Sequence, residues 1–391
     1  MTEENIYTNE NTTEKSVENT EKPAEQDASV SFSAQKEDFE ENSAPQAENE
    51  MKQETQGFTE PAKVTYTTYI PYGFTPETFE ERKKIKTAAK TIGAAFLGMT
   101  FVVLLLNLAV IIASYVLDVS LARYLFEPAV LQVEQILFSI LSLFVVFLYV
   151  FNCSKHKIGG LISFKLPKFK KATVLFMFGI SFCAFSNIAS TVVERIISSF
   201  NIDYEVNFPE NPKGIFGFLL VVLSTIVVPS LAEEFACRGL VLGLLRKFGD
   251  GFAIVVSAVL FGLMHGNFEQ MPFATLVGLV LGYVTVKSGS IWVAVAIHAF
   301  NNSISVLVEY GLGSFSQQAQ NVAVVMIFVL CMLAGIISFL LQGEEEKELF
   351  VLDKSNTKAS EKQKYKWFFM SAPILIYVII CLLEAVSFFV M

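Results

Sequence analysis

Two adjacent carboxylates and an arginine interrupt an apolar stretch of this chain, and they are the residues best suited to chemistry. The pair is Glu233 and Glu234, and Arg238 follows Glu234 by four positions. An acid in hydrocarbon costs roughly a few kcal/mol, so an intramembrane acid is by default a functional residue with a partner nearby. Residues four apart share a helix face, whereas neighbours diverge by about 100°. The spacing therefore predicts an ion pair between Glu234 and Arg238, and it leaves Glu233 free to act as a general base toward water.

Two later apolar stretches supply imidazole and amide groups that could complete a site with Glu233. His298 and Asn302 are four apart, so both can project from one helix face and donate hydrogen bonds to an oxyanion. His265 lies at the far end of another apolar stretch, where it could hold the attacking water with Glu233 or ligate a metal. Two versions of the chemistry stay open. In one, Glu233, His265 and His298 hold Zn²⁺ with a position left for water, and in the other no metal takes part.

Structural roles compete with chemical ones at these positions. Glu234 and Arg238 could form a buried ion pair that only holds the helix in place. Either histidine, His265 or His298, could alone be an interhelical hydrogen-bonding residue. The coincidence of both histidines with Glu233 favours a functional site. Two further acids are interpreted as lying near helix ends, from which they can reach the interface: Glu134 and Glu384.

Long apolar runs must position these residues, and the chain carries about nine of them. A hydrocarbon core about 30 Å thick takes roughly 20 helical residues at 1.5 Å each. The predicted spans are 91–117, 131–152, 172–193, 215–241, 251–267, 272–288, 290–309, 319–341 and 367–390. Glycines four apart, including Gly262 with Gly266 and Gly278 with Gly282, predict close helix packing. The expected fold class is an all-α, polytopic transmembrane helical bundle of about eight or nine spans, formed by residues 81–391.

The N-terminal part of the chain differs from the rest in composition. Residues 1–60 hold 16 acidic residues against four lysines, whereas the chain as a whole carries a net charge of only −9. Such a segment cannot bury enough apolar surface to offset its conformational entropy. Residues 1–80 are therefore predicted to be a disordered, acidic cytosolic tail and linker. Since no apolar segment lies near Met1, we expect no cleavable signal peptide.

Basic residues in the short loops set the expected orientation, because Lys and Arg resist translocation. Lysines and arginines lie before the first predicted span and in the loops after the second and fourth spans. The loops between these carry acids such as Asp118 and Asp203. We therefore expect an integral, multi-pass membrane protein with a cytosolic N-terminus and, with nine spans, Met391 outside. The five scattered cysteines indicate neither a disulfide framework nor a zinc finger. Membrane lipid is an expected partner and nucleic acid is not, and the oligomeric state is not indicated.

Three short motifs on consecutive predicted spans resemble those of the CPBP family of intramembrane proteases. The motifs are Glu233-Glu234-x-x-x-Arg238, Phe261-x-x-x-His265 and His298-x-x-x-Asn302. That family groups type II CAAX prenyl endopeptidases with bacterial bacteriocin-processing and immunity proteins. The resemblance covers about residues 215–308, and the order and spacing of the motifs make it specific. It implies an endopeptidase that hydrolyses a membrane-associated, prenylated or leader-peptide substrate within the bilayer.

The resemblance also assigns roles to the site residues. Glu233 and His265 would activate the water, and His298 and Asn302 would stabilise the oxyanion. Metal use stays open between a metalloendopeptidase and a glutamate-dependent protease. The helical zinc signature His-Glu-x-x-His is absent from the sequence.

Non-enzymatic functions are the alternative to a protease. A proton-coupled transporter could use Glu233 and the histidines as a relay, although inverted repeats with broken helices, typical of such proteins, are not evident. An immunity or scaffold factor could keep the motif residues only to hold the bundle together. Serine chemistry fits less well than hydrolysis by a glutamate, because the sequence has no Gly-x-Ser-Gly motif.

Overall fold

The described part of the chain consists of α-helices and the loops that join them. The structure is a computed structural model, and it describes residues 70–199, 210–341, 351–352 and 356–389, without a β-strand in these ranges. Most of the predicted acidic tail, the loop acid Asp203 and the C-terminal Met391 lie outside the described residues. The all-α membrane bundle expected from the sequence is confirmed.

Ten helices form the architecture of these ranges. They are α1 Pro76–Val116, α2 Pro128–Cys153, α3 Phe169–Ser199, α4 Gly214–Phe248, α5 Asp250–Leu263, α6 Gln270–Ser288, α7 Trp292–Gly311, α8 Gln317–Leu340, α9 Glu361–Phe369 and α10 Ala372–Ser387. Shorter helical turns lie in the loops at Val119–Ala122, Arg123–Phe126 and Ile158–Leu161. Seven of the ten are long and apolar enough to cross a membrane, namely α1, α2, α3, α4, α6, α7 and α8.

The fifth predicted span, 251–267, is wrong as a membrane crossing. Helix α5 has 14 residues, so it rises about 21 Å, short of a hydrocarbon core about 30 Å thick. The helix ends at Leu263, and Gly266 then takes a left-handed conformation with φ of 67°, which reverses the chain toward α6. His265 therefore lies in a turn just beyond the helix.

The last predicted span, 367–390, is broken into α9 and α10. The two helices are bent by 73° at a break, where Ser371 is extended with ψ of 130°. Pro373 follows in the first turn of α10, and its missing N–H prevents the hydrogen-bond ladder of α9 from continuing. Counting the bent pair as one span gives eight crossings in the described ranges, at the lower end of the predicted number.

Helices α5 and α6 pack so closely that glycine is required at their contact. A Cβ atom on Gly278 would lie 2.9 Å from the Cα of Ala258. A Cβ atom on Gly262 would lie 2.7 Å from the carbonyl oxygen of Met271. Small residues allow such backbone approach in membrane bundles, where burial from water supplies no force between helices. The predicted close packing is confirmed at these two glycines, and it fixes the hairpin that carries His265.

A buried lysine joins α9 to the end of α4. Lys364 is fully buried, and its Nζ donates to the carbonyl oxygen of Phe248 at 2.8 Å and to Oγ1 of Thr357 at 3.2 Å, while also pairing with Glu361. Phe248 is the last residue of α4, where carbonyls lack an intrahelical donor and a nearby cation is favourable. The C-terminal helices are thereby anchored to the helix that carries the glutamates.

Lys364→Met is expected to lower the free energy of unfolding by about 1–3 kcal/mol, because the buried carbonyl of Phe248 loses its donor. The measurement is an unfolding titration of the purified protein in mixed micelles. Lys362→Met, at an exposed position of the same helix, is the matched control and should change this free energy by less than about 0.5 kcal/mol. Equal losses in the two variants would show that the Lys364 contacts contribute nothing.

Candidate active site

Helix α4 changes its hydrogen-bonding pattern on both sides of the glutamate pair. Residues Val222–Val227 and Phe235–Leu242 are π-helical, and the α-helical segment between them is Val228–Glu234. Pro229, in the first turn of that segment, has no N–H, so it leaves carbonyls in the preceding turn without a donor. Single π turns within α-helices occur frequently at functional sites. The two glutamates thus lie where α-helix gives way to the second π segment.

Side chains of two other helices supply the donors that Pro229 lacks. Asn302 on α7 donates its Nδ2 to the carbonyl oxygen of Thr225 at 2.9 Å. Gln135 on α2 donates its Nε2 to the carbonyl oxygen of Ser224 at 3.4 Å. One N–H of Asn302 is therefore used to hold α7 against α4, and only the second N–H is left for another acceptor. The oxyanion role of Asn302 stays a prediction, and it depends on that second N–H.

Glu234 is the centre of a buried ionic network. Its Oε1 accepts a hydrogen bond from Nη1 of Arg238 at 2.9 Å, and Nδ1 of His298 lies 2.9 Å from the same oxygen. The Glu234 and Arg238 side chains are both 0 % exposed. An ionised carboxylate only accepts, so Nδ1 of His298 carries the proton in this contact. The predicted pair of Glu234 and Arg238 is present, and the bond from His298 to Glu234 is an addition that the sequence reasoning missed.

The ring of Phe261 packs against three polar members of the site. The Cζ atom of Arg238 lies 4.1 Å from its centroid, a cation–π contact. The rings of His265 and His298 contact it edge to face, with centroids 5.2 and 5.8 Å away. Arg238 also donates from Nη2 to the carbonyl oxygen of Gly278 at 3.2 Å. Phe261 thus separates the two imidazoles and excludes water from the arginine.

Glu233 is the carboxylate that this network leaves open. Its side chain is 16 % exposed, and its Oε2 is buried without a hydrogen-bond partner among the described residues. The nearest charged partner atom is Nε2 of His298, at 3.9 Å. That separation exceeds the 2.7–3.2 Å of a direct hydrogen bond. His298 therefore bonds Glu234 through one nitrogen and faces Glu233 with the other, across a gap that a water or a substrate oxygen can bridge.

A capped turn holds His265. Its Nδ1 lies 2.9 Å from the carbonyl oxygen of Phe261, and its own carbonyl accepts from Nδ2 of Asn267 at 2.9 Å. Oδ1 of Asn267 accepts from the backbone N–H of Gln270 at 2.9 Å, at the start of α6. The sequence reasoning missed both Asn267 and Gln270. Their Asn-x-x-Gln spacing before an apolar run is a helix-start signal that could have identified them.

The three predicted zinc ligands, Glu233, His265 and His298, are on three different elements of the site. In the parts of the chain that the structure describes, no three His, Cys, Asp or Glu side chains are grouped so as to hold a metal ion. His298 uses Nδ1 for Glu234, and His265 directs Nδ1 to a carbonyl, so each keeps Nε2 for a metal ion, a water or a substrate. Zinc binding by Glu233, His265 and His298 stays a prediction, and no step proposed below passes through a metal.

Comparisons with known proteins match the segment that carries the site. The family model of the Rce1-like type II CAAX prenyl endopeptidases matches residues 215–304. The chain is also similar to "Putative membrane peptidase YdiL" of Bacillus subtilis (strain 168), with 29% identity over 92 residues. That match covers 23% of this chain and 37% of the relative, so it spans little more than a third of the relative's length. No solved structure matches the chain.

Proposed function

Because residues 215–304 place this chain in the CPBP family of membrane proteases, we propose that it is an intramembrane endopeptidase whose general base is Glu233. One observation carries the proposal most strongly: the buried, unpartnered Oε2 of Glu233 faces Nε2 of His298 at 3.9 Å. Both glutamates leave a buried Oε2 without a partner, but Oε1 of Glu234 is held by Arg238 and His298, whereas no side chain among the described residues donates a hydrogen bond to Glu233. Glu233 has an oxygen that is open toward a reactant.

The proposed reaction is hydrolysis by a water molecule bound beside Glu233. The carboxylate takes a proton from the water while the water oxygen bonds to the peptide carbonyl carbon, which gives a tetrahedral oxyanion. The C–N bond then breaks, and Glu233 returns the proton to the leaving nitrogen. The products are a new carboxyl group and a new amine, and Glu233 is again ionised.

The proposed reacting state of the buried network is balanced in charge. Ionised Glu233 and Glu234 carry two negative charges, which Arg238 and a doubly protonated His298 neutralise. In that state Nε2 of His298 is an N–H donor directed into the gap beside Glu233, where an oxyanion would form. Glu234 orients the ring through Nδ1. The second N–H of Asn302 is the other proposed oxyanion donor.

His265 is proposed to hold the attacking water through Nε2. The contact between its Nδ1 and the carbonyl oxygen of Phe261 fixes the ring orientation, and the capped turn at Asn267 fixes the backbone. His265→Gln is expected to reduce cleavage about 10²-fold or more, as for loss of a group that assists proton transfer. The measurement is the initial rate of substrate cleavage, with the folded fraction checked by thermal denaturation.

The proposed chemistry needs no metal, and this gives a prediction. Cleavage should survive dialysis against EDTA and 1,10-phenanthroline with less than about a twofold loss, and the purified protein should hold well under one equivalent of zinc. Elemental analysis of the same sample checks the second point. Loss of cleavage on chelation with recovery on adding Zn²⁺ would replace the metal-free scheme with a zinc-dependent one.

The function is tested by cleavage in proteoliposomes. A farnesylated CAAX peptide and a single-span leader-peptide reporter serve as probes, because the family model is named for prenyl endopeptidases and the substrate class is proposed as prenylated or leader-like. New peptide ends are sought by mass spectrometry. The same search in membranes of cells that express wild-type or Glu233→Ala protein covers other substrates. A phenotype that Glu233→Ala retains, without any new peptide ends, would favour an immunity or scaffold role.

We further propose that the N-terminus is cytosolic. The loop between α2 and α3 is rich in lysine, including Lys155, Lys157 and Lys165, and it would share the cytosolic side with Lys83 and Lys84. A cysteine introduced at Lys157 of a variant that lacks the five native cysteines should react with a membrane-impermeant thiol reagent only after the membrane is opened. Labelling of intact cells would reverse the orientation.

A further inference from the structure

The C-terminal helix α10 brings a carboxylate against the turn that holds His265. A Cβ atom on Gly266 would lie 2.8 Å from Cδ of Glu384, 2.9 Å from its Oε1 and 3.0 Å from its Oε2. Three nearly equal distances show that the carboxylate lies face-on against the glycine. Gly266 directly follows His265, and Glu384 lies 80 residues beyond the matched segment 215–304. The contact therefore adds an element outside the family match to the site.

Helix lengths account for the meeting of these two residues. Lys364 ties α9 to Phe248, and the rings of Phe252 on α5 and Phe368 on α9 lie with centroids 6.1 Å apart, so α5 and α10 start at the same end of the bundle. Leu263, the last residue of α5, is 13 residues beyond Asp250, or about 20 Å along that helix, and His265 lies in the turn just after it. Glu384 is 12 residues beyond Ala372, or about 18 Å along α10. The two residues therefore reach similar depths. The interpretation of Glu384 as an acid that reaches the interface stays a prediction, and the contact with Gly266 is an addition to it.

A second contact joins the same turn to the segment just after α10. The rings of Phe268 and Phe389 lie with centroids 5.8 Å apart, and Phe389 is two residues beyond the last residue of α10. The opposite side of the turn is held by the cap between Asn267 and Gln270. The backbone around His265 is thus clamped between the start of α6 and the end of α10.

Packing alone does not explain a carboxylate at this position. Ala385 is fully buried, whereas Glu384 is exposed, as are Leu383 at 65% and Val386 at 52%, so the carboxylate meets Gly266 from the open side of α10. Among the described residues, none donates a hydrogen bond to its carboxylate oxygens. An apolar side chain would fill the same space without the cost of placing a charge in hydrocarbon. A role in the adjacent site accounts for the charge.

We propose that Glu384 is a positioning residue of the peptidase, which acts on His265 through the turn at Gly266. This inference rests on the proposed function. The carboxylate holds the turn by contact and supplies a negative charge at Gly266, the residue that follows the water-holding His265, so its loss affects the chemical step more than substrate binding. The C-terminal helix is thereby a working part of the site.

The test compares Glu384→Gln, which keeps the shape and removes the charge, with Glu134→Gln, a half-buried acid of helix α2. In the cleavage assay Glu384→Gln should lower kcat about tenfold with KM within about twofold, and the control should change neither. The chain has three histidines, so imidazole ¹⁵N resonances can be assigned by single replacements. Those of His265 should shift in Glu384→Gln and stay in place in the control.

The resonance measurement keeps this inference separate from the proposed function, because it needs no activity. If the wild-type protein cleaves no probe, a shifted His265 signal still supports the contact and its electrostatic effect. Unchanged His265 resonances in folded Glu384→Gln would overturn the proposal, as would wild-type kcat. If Glu384→Gln fails to fold, Glu384→Asp replaces it. Aspartate withdraws the charge by one methylene, so it should give a smaller loss of kcat and a smaller shift of the His265 resonances.

Discussion

Arg238→Met is expected to destabilise the protein by about 3–5 kcal/mol, the loss typical of removing one partner from a buried ion pair. Arg238 is 1% exposed and touches Glu234, the Gly278 carbonyl and the ring of Phe261. Its removal leaves the Glu234 carboxylate in a low dielectric with only His298 to balance it. The measurement is the free energy of unfolding in mixed micelles.

A double-mutant cycle separates the ion pair from the rest of the packing. Glu234→Gln alone should also cost several kcal/mol, because a neutral amide replaces the charged acceptor of two hydrogen bonds and leaves Arg238 buried without its counter-charge. The double variant Glu234→Gln with Arg238→Met buries no unbalanced charge of this pair, so it should be less destabilised than the sum of the single losses. Additive losses would mean that the two residues act independently. Arg246→Met, at a half-exposed pair with Asp250, is the control and should cost less than about 1 kcal/mol.

Glu233→Gln is expected to reduce peptide cleavage about 10²–10⁴-fold, the usual contribution of a general base. The amide keeps the shape of the side chain but cannot take a proton from water. Because Oε2 of Glu233 is without a hydrogen-bond partner among the described residues, the free energy of unfolding should change by less than about 1 kcal/mol. The loss of cleavage is measured as the initial rate in proteoliposomes.

The control for Glu233→Gln is Glu309→Gln, an exposed acid of helix α7. It should leave both cleavage and unfolding at the wild-type values. If Glu233→Gln and Glu309→Gln cleave equally well, the general base lies elsewhere. If Glu233→Gln fails to fold, its carboxylate is part of the structural network.

Local spacing was sufficient to predict part of the site. The four-residue separation of Glu234 and Arg238 specifies a shared helix face, and their bond at 2.9 Å follows from it even where the helix becomes π-helical. The apolar runs likewise predicted the membrane bundle, because the length and hydropathy of a helix determine whether it can span a bilayer. Small residues four apart predicted where α5 and α6 would touch.

Other features depend on contacts that sequence spacing does not report. Pro229 signalled missing hydrogen bonds in α4, but only the packed structure shows that Asn302 supplies a donor to Thr225. The placement of His298 between Glu234, which its Nδ1 contacts, and Glu233, which its Nε2 faces, depends on how α7 crosses α4. The break before α10 was hidden because hydropathy continues across it, although Pro373 marked its position. The contact of Glu384 with the His265 turn joins residues more than a hundred positions apart, and no local pattern encodes it.

The most direct measurement takes Glu233→Gln and Glu234→Gln side by side and records two quantities for each: the cleavage rate per folded molecule and the free energy of unfolding. If Glu233 is the general base and Glu234 holds the ion pair, Glu233→Gln should keep near wild-type stability and lose at least about 100-fold in cleavage rate. Glu234→Gln should lose several kcal/mol of stability. Wild-type cleavage by Glu233→Gln, or equal destabilisation of both variants, would contradict that division of roles.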